Sequence, residues 1–147
     1  MELTLEQTFQ QGVVAHKKGK LQEAADLYNA VLKKQPTHPD ANYNLGLIAI
    51  SVNNIKSAVL LFKTALEANP KIKQFWLSYI SALAKSKQIE MAKIVLKQGR
   101  KAGLAGEEVD TLEAQLKKIT PSKSRQKKNK ASSQNTNKVN PSQSQLN

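Results

Sequence analysis

Ile55-Lys56-Ser57-Ala58-Val59-Leu60-Leu61-Phe62-Lys63-Thr64-Ala65-Leu66-Glu67-Ala68-Asn69-Pro70 places apolar residues at Ile55, Ala58, Val59, Phe62, Ala65 and Leu66. Steps of three and four put all six on one face of a helix. Pro70 lacks an N–H and its ring collides with the preceding turn, so the helix ends before it. Upstream, Tyr43, Leu45, Leu47, Ile48 and Ile50 predict a second helix. Val52-Asn53-Asn54 lies between the two, and Asn53 suits the left-handed backbone that ends a helix. Two helices joined by a three-residue turn are the unit.

The unit recurs at an offset of 34 residues. Leu21, Ile55 and Ile89 align, as do Ala24, Ala58 and Ala92, then Leu27, Leu61 and Val95, then Tyr28, Phe62 and Leu96. Gly12 aligns with Gly46, Leu32 with Leu66, and Pro36 with Pro70. The turns Lys18-Gly19-Lys20 and Ser86-Lys87-Gln88 match Val52-Asn53-Asn54. Gly12 and Gly46 have no side chain and let the first helix lie close to its partner. Tyr28, Phe62 and Leu96 fill the space between neighbouring pairs. A single pair cannot bury its apolar face, whereas three stacked pairs can.

The 34-residue period, Asn42-Tyr43-Asn44-Leu45-Gly46, an alanine four residues before an aromatic, and the closing proline resemble tetratricopeptide repeats. The resemblance covers about residues 5–119, with repeats at 5–38, 39–72 and 73–106. It implies an all-α, right-handed α-solenoid of three helix-turn-helix repeats. The third copy departs from the pattern: Ile80 stands at the glycine position, Gly99 at a small helix-favouring one, and Leu104 at the proline. Its helices are expected to pack at a slightly different angle.

Beyond Gly103 and Gly106, Val109, Leu112, Leu116 and Ile119 form one more apolar stripe. Glu107, Glu108 and Asp110 complement the positive helix N-terminus. We read residues 107–119 as a capping helix that closes a repeat domain of residues 1–119. Residues 120–147 have no apolar periodicity and no aromatic residue. They cannot bury enough surface to offset chain entropy and are expected to form a disordered tail.

The net charge of +12 divides unevenly. Lys123, Arg125, Lys127, Lys128, Lys130 and Lys138 face no acid from Thr120 onward, so half the excess lies in the tail. Such a tail supports nonspecific contact with nucleic acid or anionic lipid, or serves as a solubilising linker, the plainer reading. Without aromatic residues it offers no base stacking.

There is no cysteine, which excludes disulfides, thiolate zinc sites and cysteine nucleophiles. His16 and His38 are the two histidines, too few for a convergent metal cluster or a Ser/His/Asp constellation. His38 falls in an inter-repeat turn, and Gly99, Gly103 and Gly106 read as helix-end glycines, not a phosphate loop. We expect no catalytic, metal or cofactor site. The N-terminus lacks an apolar signal-peptide run and no stretch is long enough to span a membrane, so a cytoplasmic protein is expected.

The expected working surface is the inner face, lined by the first helices of the stack. By register it comprises Phe9, Gln10, Val13 and Lys17 from the first copy. Tyr43, Asn44, Leu47, Ile50 and Ser51 follow from the second, and Leu77, Ser78, Ser81 and Lys85 from the third. Apolar residues beside small polar ones suit an extended peptide. The plainer alternative is that some of the apolar members contact neighbouring helices.

Tetratricopeptide domains that hold acidic chaperone C-termini are similar to one another in a clamp of Lys, Asn, Asn, Lys and Arg. The matching positions here are Phe9, Val13, Asn44, Gln74 and Ser78, and only Asn44 fits. The sequence therefore argues against a chaperone tail as partner. The stretch from Gln74 to Glu107 also resembles N-terminal repeat regions of bacterial multidomain proteins. Those proteins carry an O-linked N-acetylglucosamine-type glycosyltransferase or a sulfotransferase further along. The expectation is a protein-binding scaffold; the alternative is the recognition region of such a larger enzyme.

Overall fold

The computed structural model describes residues 2–131, and among them there are seven helices and no strand. They are α1 (Leu5–Lys17), α2 (Leu21–Lys34), α3 (Pro39–Ser51), α4 (Ile55–Ala68), α5 (Lys73–Lys85), α6 (Ile89–Lys101) and α7 (Glu107–Ala131). Each helix packs on the next, and α7 also touches α5, so the chain is an all-α solenoid.

Local chemistry sets the helix limits. Thr4 Oγ1 accepts from the Gln7 backbone N–H at 3.0 Å, and Gln7 Oε1 accepts from the Thr4 N–H at 2.9 Å. This reciprocal cap satisfies two donors that the first turn would leave orphaned. His38 does the same for α3, its Nδ1 accepting from the Ala41 N–H at 3.0 Å, with Pro39 at the first helical position. The turns close with positive φ at Gly19 (78°), Asn53 (62°) and Lys87 (70°), one repeat position filled by three residue types.

Each glycine of the first helices faces an aromatic ring of the second. A Cβ on Gly12 would lie 2.7 Å from Tyr28 Cε1, and one on Gly46 would lie 2.5 Å from Phe62 Cε1. Tyr28 and Phe62 are buried, and each such side chain contributes about 2–3 kcal/mol through lost water contact. The third pair solves the same packing with Ile80 and Leu96, both buried. A branched residue replaces glycine where a smaller residue replaces the ring.

A second recurring device ties each first helix to the turn before it. Asn42 Nδ2 donates to the Pro36 carbonyl at 3.0 Å and to the His38 carbonyl at 2.9 Å. One repeat later, Trp76 Nε1 donates to the Pro70 carbonyl at 2.8 Å. Different side chains thus make the same bond at one repeat position.

Two expectations need correction. Gly99 lies in the last turn of α6, but close packing and not a positive φ explains it: it is buried, and a Cβ would meet Leu104 Cδ2 at 2.8 Å and Trp76 Cε3 at 3.0 Å. The last helix does not stop at Ile119 but continues to Ala131. The apolar stripe ends at Ile119, whereas the Lys, Arg, Gln and Ala beyond it are helix-favouring residues that periodicity does not register. The remainder of the expected disordered tail, residues 132–147, lies outside the described residues.

Candidate functional site

The helices α1, α3, α5 and α7 start at residues 5, 39, 73 and 107, a constant step of 34. The last helix therefore holds the register of a first helix and extends the inner face beyond the third pair. It is fixed there by Arg100, whose guanidinium donates to Asp110 at 2.8 Å and to Glu113 at 2.7 Å. Lys73 pairs with Glu108 at 3.0 Å from the other side. Exposed pairs like these are screened by water and add little stability, so they orient α7, while Val109, Leu112 and Leu116 anchor it by burial.

Two connected recesses occupy this face. The first, about 170 Å³, lies between α3 and α5 and is lined by Leu47, Ile50, Leu77, Ser78, Ser81 and Lys85, together with Phe62, Gln74 and Ala82. The second, about 680 Å³, lies between α5 and α7, where Gln74, Leu77 and Ser81 meet Glu107, Glu108, Thr111, Leu112 and Gln115. Gln74, Leu77 and Ser81 belong to both, so one surface runs from α3 over α5 to α7.

Of the inner-face residues read from sequence, Leu47, Ile50, Leu77, Ser78, Ser81 and Lys85 are brought together here. Tyr43 and Asn44 stand beside them with partners of their own. The Tyr43 ring lies 5.5 Å from Phe62 and 4.8 Å from Phe75, and its hydroxyl is 3.1 Å from Ser78 Oγ. Asn44 Nδ2 donates to the Tyr28 hydroxyl at 3.3 Å, which is in turn 3.1 Å from His16 Nδ1. This chain links α1, α2 and α3. Burial pushes the Tyr28 phenol above its ordinary value, with the Asn44 bond opposing.

The first copy's residues do not join the recess. Phe9 is buried against Tyr28 and His38, at ring distances of 5.8 and 5.0 Å. Val13 packs on the same core. Gln10 is exposed and donates to Glu6 at 2.8 Å, and Lys17 is exposed at the end of α1. Ser51 turns its hydroxyl onto the Ile48 carbonyl at 2.7 Å.

Gln74 entered the sequence reading only as a clamp position, and Glu107, Glu108, Thr111, Leu112 and Gln115 only as part of a cap. The signal was available: continuing the 34-residue offset aligns Thr111 with Leu77 and Gln115 with Ser81. Among the described residues no cluster of His, Cys, Asp or Glu could hold a metal ion, and no helix is long and apolar enough to cross a membrane.

Residues 15–71 match the family model described as tetratricopeptide repeat. No curated protein matches the chain. Among solved structures it is similar to the first tetratricopeptide domain of Spaghetti (RPAP3) bound to the HSP90 peptide SRMEEVD. There the TM-score is 0.67 at 18% identity, covering 82% of this chain and 93% of that one. The Sgt2 tetratricopeptide domain from Aspergillus fumigatus gives 0.66 at 15% identity, covering 97% and 93%. YrrB, a tetratricopeptide protein with an unusual peptide-binding site, gives 0.62 at 18% identity, covering 68% and 52%. At these identities the likeness is one of fold: a solenoid of tetratricopeptide type.

Proposed function

We propose that this chain is a protein-interaction scaffold that holds an extended segment of a partner along the α3–α5–α7 face. The observation carrying the proposal is the continuity of that face. Leu47, Ile50, Leu77 and Leu112 alternate along it with Gln74, Ser78, Ser81, Thr111 and Gln115. Apolar side chains of an extended segment fit the former, while its backbone amides bond the latter. The peptide-bound structure of Spaghetti supports the reading, since a similar fold holds a peptide.

Charge narrows the class of occupant. Lys85 stands at the α3 end, and Glu107 and Glu108 at the α7 end. At the three positions where chaperone-tail domains carry basic residues, this chain has buried Phe9, Gln74 and hydrogen-bonded Ser78. A segment held through apolar side chains fits this surface better than one anchored by a terminal carboxylate.

The test is selection of binders from a random peptide library, followed by affinity measurement on the variant Leu47→Glu/Ser81→Arg. Both side chains project into the recess and leave the core intact. Peptides that bind the parent chain should lose at least about tenfold in affinity, each unpaired charge opposing burial of the apolar segment. Unchanged affinity would remove this face from consideration.

A further inference from the structure

A hollow larger than either recess of the inner face lies elsewhere. About 770 Å³ lies on the opposite side, floored by Trp76 and Leu83 of α5 and walled by α4 and α6. Leu60 on one wall is 67% exposed and Met91 on the other 45%, with Ile94 beside it at 49%.

These exposures are not a demand of the fold. The repeat position of Leu60 and Ile94 is held by Asp26 in the first pair, where the helix forms equally well. A large apolar side chain left in water at a position that tolerates aspartate contributes little to folding and marks a contact surface. The trough between α2 and α4, on the same side, has about half the volume, 350 Å³.

The α4 rim is basic: Lys56 and Lys63 line that wall against the single acid Glu67, while the α6 wall presents uncharged Gln88, Met91 and Gln98. No ion pair joins any of these lysines to an acid among the described residues. The α4 wall from Lys56 to Glu67 runs roughly 17 Å, about three turns of a rod of similar pitch. A narrow trough between two helices fits a helix better than the flat surface of a bilayer. The chain's own basic tail and a second copy are disfavoured by like charge, the net charge being +12.

We infer that this trough docks an acidic amphipathic helix of a partner protein. Its apolar stripe would cover Leu60, Met91 and Trp76, and its flanking carboxylates would meet Lys56 and Lys63. This site is separate from the inner face and stands or falls without it.

Trp76 is the chain's single tryptophan, so its emission reports occupancy of the trough directly. The full chain is titrated with a synthetic helical peptide of about fourteen residues, leucine on one stripe and glutamate on its flanks. A second peptide carries lysine in place of glutamate, and phosphatidylglycerol vesicles form a third arm. The expected result is a saturable blue shift with the glutamate peptide, at least about tenfold tighter than with the lysine peptide. Leu60→Asp, which installs the first pair's residue, should weaken it by about tenfold. Lys56→Glu/Lys63→Glu should reverse the preference between peptides. All three side chains are exposed, and circular dichroism checks that the variants remain folded. Equal affinity for the two peptides, an indifferent Leu60→Asp, or a shift with vesicles alone would overturn the inference.

Discussion

Gly46→Ala isolates the packing rule on which the stack depends. Inside a helix, alanine in place of glycine is ordinarily stabilising by about 0.5–1 kcal/mol. Here the added Cβ would lie 2.5 Å from Phe62 Cε1 and 2.7 Å from Cδ1. Ordinary carbon contacts need about 3.5–4.0 Å, so the ring must retreat by about 1 Å. It has little room, being 1% exposed with the Tyr43 ring 5.5 Å away. Overpacking of this kind costs about 1–3 kcal/mol, which outweighs the propensity gain and leaves a net loss of about 1–2 kcal/mol. The third pair indicates the remedy, since it sets Ile80 where Gly46 stands and Leu96 where Phe62 stands. Phe62→Leu alone should destabilise by about 1 kcal/mol through lost volume. Combined with Gly46→Ala it should relieve the clash, giving a favourable coupling of about 1 kcal/mol. Urea unfolding of the four proteins, followed by far-ultraviolet circular dichroism, closes the cycle. A Gly46→Ala protein as stable as the parent, or strictly additive single changes, would refute the close approach.

Other consequences follow from individual residues. Lys87 holds φ of 70° where the first turn has glycine, so Lys87→Gly should stabilise by about 0.5–1 kcal/mol and raise the melting temperature. Asn42→Ala removes two bonds to turn carbonyls from a buried site and should cost about 2 kcal/mol in urea unfolding, with the slope unchanged. Tyr28 gives a pH signature. Its phenol is raised above the ordinary 10.0 by burial, so above that pH the folded chain keeps a proton that the unfolded chain releases. Its contribution is therefore full below pH 10 and is lost as pH rises toward the folded value; Tyr28→Phe should flatten that alkaline decline in stability.

Much of the fold is legible in the sequence because packing repeats. Gly12 with Tyr28, and Gly46 with Phe62, can be paired from the 34-residue offset alone. What escapes is anything decided by a neighbour outside the repeat. Asn44 looks like a free groove amide until Tyr28 offers it a hydroxyl. The extent of α7 is hidden because the apolar stripe stops at Ile119 while the helix runs on to Ala131. Leu60 and Ile94 are apolar yet exposed at the position Asp26 holds in the first pair, so residue type alone does not report their burial.

Photo-crosslinking of a library-selected peptide to the full chain, with the attachment sites read by mass spectrometry, tests the scaffold reading most directly. The inner face predicts adducts on α3, α5 and α7, at residues such as Leu47, Gln74, Ser81 and Gln115. They should persist in Leu60→Asp and disappear in Leu47→Glu/Ser81→Arg. Adducts confined to α2, α4 or α6 would contradict the account.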